Sequence, residues 1–224
     1  MSAQQALRHH LIPMTSLVSR ALDIADEDAA GSREIRDNIV KTVMRYLDTD
    51  SLLCWAPEAV PDPPGYERHE GRVKSLRATQ KKTAESIIGY LTTRVWPGVE
   101  IIPVLDSDSI MPKSQPQMTT EVIRGWVSGL PAFELAGLER AVIAGKGLLG
   151  AARLLVEWST ELAHFRDEAA EERFGVEEAA RAASLEVDWQ TRMWGAVEDT
   201  HDVDHEDIRR QLGSVVLLVS GESS

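Results

Sequence analysis

The residues of this chain best suited to chemistry lie in the run His201-Asp202-Val203-Asp204-His205-Glu206-Asp207. Two histidines four apart share one turn of a helix, the spacing of paired metal ligands, and Asp202 stands beside them as an acid. A metal-dependent hydrolase using His201, Asp202 and His205 would be the corresponding reaction class. The run departs from a zinc-hydrolase helix in two ways. Asp202 follows the first histidine where a general-base Glu would be expected, and no third ligand is evident. The same residues also read as a helix junction at Val203-Asp204. Asp204 then caps the next helix, and the acids behind it suit the positive end of its dipole.

A helix running from Trp189 to Asp207 would place Trp194, Glu198, His201 and His205 in one narrow sector. Leu185, Trp189, Met193 and Ala196 would form a second, apolar stripe facing a core. Glu198 sits near the expected helix end, where a carboxylate opposes the dipole. That cost implies a specific partner, either a salt bridge inside the fold or another protein. Asp106, Asp108, Glu157 and Glu161 read as surface acids. Gly145-Lys146-Gly147 lacks the leading glycine and the hydroxyl residue of a phosphate-binding loop, so it reads as a packing or helix-end feature. No Ser-His-Asp, Cys-His or paired-carboxylate arrangement stands out.

Composition bounds the remaining classes. The chain has 224 residues, 43% hydrophobic and 27% charged, enough for a proper core. Its net charge of -12 argues against general affinity for nucleic acid or anionic membrane and suits a partner with a basic patch. Cys54 is the sole cysteine, which rules out an intrachain disulfide and a CxxC metal site. No apolar run approaches the roughly 20 residues of a membrane-spanning helix. The opening MSAQQALRHHLIP lacks the apolar segment of a secretion signal. Six Trp against three Tyr and three Phe is unusual. By periodicity most of these tryptophans belong to a core, with one or two left as interface anchors.

The elements that must position these residues are mostly helices. Thr15 or Ser16 can cap the first, through Ala25, and Ser32 the second, with Ile35, Ile39, Val43 and Tyr46 on its apolar face. The turn-forming Asp48-Thr49-Asp50 ends it. Ser51 to Trp55 and Val99 to Val104 read as two short strands, pairing through Leu52 and Ile101 as an antiparallel ribbon. Between them, Pro57, Pro61, Pro63, Pro64 and Gly65 make a stiff connection. A basic stretch from Arg68 to Lys82 follows and reads as a solvated loop, and helical character resumes over Ala84 to Val95. A helix opens at Thr119 or Thr120, and Pro131 suits the first turn of the next, which carries Leu135, Leu138, Val142 and Leu149. Gly137, Ala141, Ala144, Gly147 and Gly150 would permit close helix contact. Another helix is expected near Ala151 to Phe165, then an acidic stretch from Asp167 to Glu178. The last helix runs from Asp204, with Ile208, Leu212, Val215 and Val219 as its stripe. The expected fold is mainly α, a multi-helical domain over residues 1-224 with a short antiparallel β-ribbon and a long insertion at 57-97.

Several segments resemble the ATP12 family of F1-ATP synthase assembly chaperones. They are Pro13 to Leu17 with Ala21-Leu22-Asp23; Arg45 to Ser51, containing YLDTD; Leu130 to Glu139; and Trp189-Gln190 through Trp194-Gly195-Ala196-Val197-Glu198-Asp199-Thr200-His201-Asp202. In order and spacing they span Pro13 to Ser220. The resemblance implies a monomeric chaperone without enzyme activity or cofactor. Such a protein binds the unassembled α subunit of F1, shields its interface and gives way to the β subunit. An unassembled ring subunit exposes apolar surface that aggregates, and a weaker transient cap prevents this without hydrolysing ATP. The resemblance carries Trp194, Glu198, His201 and Asp202 as the partner-binding surface, with Glu198 acting most directly. Two departures matter. The β-rich N-terminal domain of the family is almost wholly missing here, and the 57-97 segment is longer than the family pattern. That length is a fungal rather than bacterial trait and points to the mitochondrial matrix.

Overall fold

Small residues and one buried carboxylate decide how the helices of this chain meet. The structure is a computed structural model and describes residues 13–57, 76–105, 112–194 and 201–221. The described helices, in chain order, are α1 (Pro13–Ala29), α2 (Glu34–Arg45), α3 (Leu76–Tyr90), α4 (Gln117–Ser128), α5 (Ala132–Gly145), α6 (Leu148–Trp158), α7 (Val176–Ala183), α8 (Leu185–Trp194) and α9 (His201–Val219). Short 3-10 turns lie at Ser51–Leu53 and Ala163–Phe165, and a π turn at Leu91–Val95 extends α3. The fold is therefore mainly α, as expected.

Helix α5 is the hub, packed by α9, α1, α6 and α2. Leu135, Ala136, Gly137, Leu138, Ala141 and Val142 are all buried, so the helix is apolar around most of its girth. Gly137 lets α9 approach closely: a Cβ there would lie 3.2 Å from Val215 Cγ1 and from Val219 Cγ1. The expected stripe on α9 is thus its core face, with Leu212, Val215 and Val219 buried. Helix α1 adds Leu17, Ala21 and Ile24 to the same core. It begins at Pro13 itself, whose fixed φ suits a first helical turn. The Ser16 hydroxyl donates back to the Pro13 carbonyl.

The expected helix spanning Leu135 to Leu149 is broken in two. Lys146 takes a left-handed conformation (φ 51°, ψ 32°) and stops α5. Gly147 then opens α6, so the Gly145-Lys146-Gly147 run is a helix end. Past α6 the chain turns at Ser159, and only Ala163–Phe165 is helical again. The expected helix from Ala151 to Phe165 is therefore shorter and starts earlier. The end of the acidic stretch, from Val176, enters helix α7, with the Glu178 carboxylate accepting from the Gly175 amide at its start.

The β-ribbon is corrected. Among the described residues there is no strand: Ser51–Leu53 is a 3-10 turn, and a single parallel bridge joins Cys54 to Leu105. The two expected segments do meet, but side-chain amides complete what a strand would supply. Gln80 accepts from the Ala56 amide and donates to the Cys54 carbonyl. Gln115 does the same at both backbone groups of Ile102. Each of these amide side chains uses one N–H as donor and its oxygen as acceptor, which matches the two backbone groups of one residue in a ladder.

The basic stretch Arg68 to Lys82 is described only from Leu76, and there it is helix α3 and not a solvated loop. Arg77 and Gln80 are buried, and Arg77 reaches the Ala56 carbonyl. Lys81 Nζ sits 5.0 Å from the Trp55 ring centre, so the cation stacks on an aromatic face.

Candidate functional site

The candidate surface divides between two helices. Helix α8 ends at Trp194 and α9 begins at His201. The one continuous helix expected from Trp189 to Asp207 is therefore two helices, with residues 195–200 outside the described residues. Glu198 falls in that connection. Trp194 closes α8, and His201 and Asp202 open α9; their side chains also lie outside what is described.

The expected junction at Val203-Asp204 is overturned, because helix α9 runs continuously from His201 through it. His201 and His205 consequently do share one helical turn. A metal reading gains nothing from this. His205 Nε2 lies 2.9 Å from Asp188 Oδ1 on α8, so its outward nitrogen engages a carboxylate. Among the described residues no three His, Cys, Asp or Glu converge as a metal set. The contact has a mechanical consequence: it ties α8 to α9 on either side of residues 195–200. Arg209 does the same from α9 to α7 by bonding Glu177.

The YLDTD motif has a different occupation. Asp50 is fully buried, and its Oδ1 accepts from the Leu52 amide at 2.9 Å. Its Oδ2 accepts from the Leu148 and Leu149 amides at 2.6 and 2.8 Å. Asp50 thus caps α6 from 98 residues away, filling the place that Gly147 cannot. A Cβ on Gly147 would lie 2.7 Å from Asp50 Oδ1, so the glycine makes room for the carboxylate. Burial raises the Asp50 pKa to about 6 against the pull of its three amide donors. Asp48 accepts from the Gln115 amide. These two acids are architectural.

Glu157 is also corrected. It is buried, not a surface acid: Arg153 donates to Oε2 at 2.6 Å, and Arg173 to Oε1 at 3.1 Å. Arg153 Cζ lies over the Tyr90 ring, 3.6 Å from its centre, and Arg173 Cζ over the Trp158 ring at 3.9 Å. The cluster fastens the segment around Phe174 to α6. Among the described tryptophan side chains the expectation that most are core holds fully for Trp96 alone, which is 1% exposed and meets Trp126 edge-on at 5.3 Å. Trp55, Trp126, Trp158 and Trp189 are half-buried.

Comparison with known proteins bears on what this scaffold serves. A family model described as ATP12 chaperone protein matches residues 1–92. The mitochondrial protein atp12 of Schizosaccharomyces pombe is 30% identical over 218 residues, 95% of this chain and 62% of that protein. The mitochondrial ATP12 of Saccharomyces cerevisiae is 28% identical, over 95% of this chain and 65% of its own length. The chain is similar to these ATP12 proteins along most of its own length. The chain thus spans a little under two thirds of the curated relatives it matches. The crystal structure of Atp12 from Paracoccus denitrificans superposes on 92% of this chain with a TM-score of 0.61 at 15% identity. A protein of Agrobacterium tumefaciens does so at 0.59 and 19% identity. At these identities the ATP12 structures establish the shared fold.

Proposed function

We propose that this chain is an assembly chaperone for the F1 sector of ATP synthase. It holds the unassembled α subunit until the β subunit replaces it, and it works in the mitochondrial matrix as a monomer without cofactor. The observation that carries this reading is the 30% identity to a mitochondrial ATP12 along 95% of the chain. The chemistry of the chain suits a holding role. A net charge of -12 keeps the chaperone itself soluble and steers it to basic surface. A helical core held by α5 offers a preformed surface, so little order need be gained on binding.

Trp194, Glu198, His201 and Asp202 are the proposed contact residues. In the sequence they run from the end of α8 to the start of α9, and the His205–Asp188 contact ties those two helices together. A carboxylate at such a junction can pair with a cation on the client, and Trp194 offers the aromatic anchor common at interface centres.

The test is aggregation of isolated F1 α subunit, followed by light scattering with and without the chain at equal molarity. Suppression is expected. Glu198→Lys is expected to abolish it while the variant keeps the melting point of the parent. A melting point several degrees lower would make Glu198 a structural residue and remove it from the site. Failure of the parent chain to suppress would overturn the proposal for this chain.

A further inference from the structure

Helices α1, α5 and α9 enclose a depression of about 570 Å³. Arg140 of α5 stands in it, half-buried. Its Nη1 donates to Gln211 Oε1 on α9 at 3.2 Å, and its Nη2 to the Ser16 hydroxyl on α1 at 3.0 Å. Both holders are themselves anchored. Ser16, 8% exposed, donates its own hydrogen to the Pro13 carbonyl, and the Gln211 amide donates to Asp207. The guanidinium is thus fixed in place by neutral oxygens. It carries five N–H donors, and these two bonds leave three without an acceptor among the described residues.

Its charge is left over as well. The formal charges of the lining cancel, Arg20 and Arg140 against Asp23 and Glu139, but the pairing does not. Both oxygens of Glu139 are taken by Arg20, at 2.9 and 3.0 Å. Asp207 accepts from Gln211 and lies 3.7 Å from Arg210. Asp23, two turns along α1 from Ser16, acts on Arg20 and not on Arg140. Glu139 and Asp207 pull on the Arg140 charge without bonding it, and burial outweighs them, lowering its pKa. Bracing three helices needs the two hydrogen bonds. It does not need a cation.

We infer that Arg140 receives a carboxylate of the client protein, an aspartate or glutamate side chain, in the depression between α1, α5 and α9. A guanidinium fork matches the two oxygens of a carboxylate. Ile143, 49% exposed and one turn further along α5, offers apolar contact to the stem that carries the acid. The net charge of -12 repels free anions. An acid delivered on a protein that also binds elsewhere therefore fits the site better than inorganic phosphate does. The inference rests on the chaperone reading above and names a contact that would serve it.

Two substitutions test it, with isolated F1 α subunit as the probe. Arg140→Met keeps the aliphatic stem and removes the cation; Arg140→Lys keeps the cation. A circular-dichroism melt verifies that each is folded. In suppressing aggregation, Arg140→Met is expected to require about tenfold more chaperone than the parent, and Arg140→Lys about threefold or less. The Arg140→Lys complex is then treated with a carbodiimide, which joins an amine to a carboxylate in direct contact as an amide, and is mapped by mass spectrometry. A cross-link from the introduced amine to an aspartate or glutamate of the α subunit is expected, and it decides alone should Arg140→Met not fold. Full suppression by Arg140→Met would overturn the inference while leaving the chaperone reading intact. So would a complex in which the introduced amine couples only within the chaperone. If the parent chain fails to suppress, both fall together.

Discussion

Replacing Asp50 by Ala should cost about 3 to 5 kcal/mol of stability, seen as a large drop in the midpoint of urea unfolding. Three buried backbone amides, those of Leu52, Leu148 and Leu149, lose their acceptor at once. The pH dependence is a sharper test. Asp50 has a pKa near 3.8 when unfolded and about 6 when folded, because burial outweighs the amide donors. Between those values the folded chain binds the proton more tightly than the unfolded chain does. Stability from this group is therefore greatest below pH 4, declines as pH rises to about 6, and is constant above. At about 1.4 kcal/mol per pH unit the decline approaches 3 kcal/mol. Asp50→Asn, less stable throughout because its amide opposes a backbone donor, should lack that slope. A parent-minus-variant difference that is flat from pH 4 to 7 would show that the carboxylate is not perturbed. Asp28 works in the opposite direction: its hydrogen bond from Arg36 lowers its pKa, so its contribution is lost as pH falls. Taking the difference between parent and variant removes that background.

Asp50 also shows what the sequence makes legible. The turn at Asp48 to Asp50 follows from local composition, and so do the apolar faces of α2 and α9. The partner of Asp50 does not, because it lies 98 residues away and its signal is only a glycine ahead of a helix. The ribbon failed for a related reason. Alternating apolar residues at Leu52 and Ile101 signal extended, half-buried backbone, but not whether the neighbour is a strand or the amide of Gln115. At the candidate site the His201–His205 spacing allows one helical turn, but the capping pattern at Val203-Asp204 argued for a junction there, and the helix runs through it. What sequence could not supply was Asp188, which reaches His205 from a different helix.

Glu157→Ala should be about as destabilising as loss of Asp50, at roughly 3 to 5 kcal/mol, although the glutamate read as a surface acid. The reason is the neighbour left behind. Arg153 has only 10% of its side chain exposed, and Glu157 6%. Removing the carboxylate leaves the guanidinium between the Tyr90 and Phe174 rings without its anion. Ring faces attract a cation by about 1 to 2 kcal/mol, too little to replace a desolvated ion pair. Arg173→Ala should cost no more than about 1 kcal/mol, since Arg173 is 46% exposed and solvent compensates it. The decisive variant is the double replacement Arg153→Met with Glu157→Leu. It removes both charges and keeps the volume, so it should recover most of the stability lost by Glu157→Ala alone. If the double variant is as unstable as the single one, the pair is valuable in itself. If Glu157→Ala is harmless, Arg153 finds water or another acceptor, and the cluster does not fasten the Phe174 segment to α6.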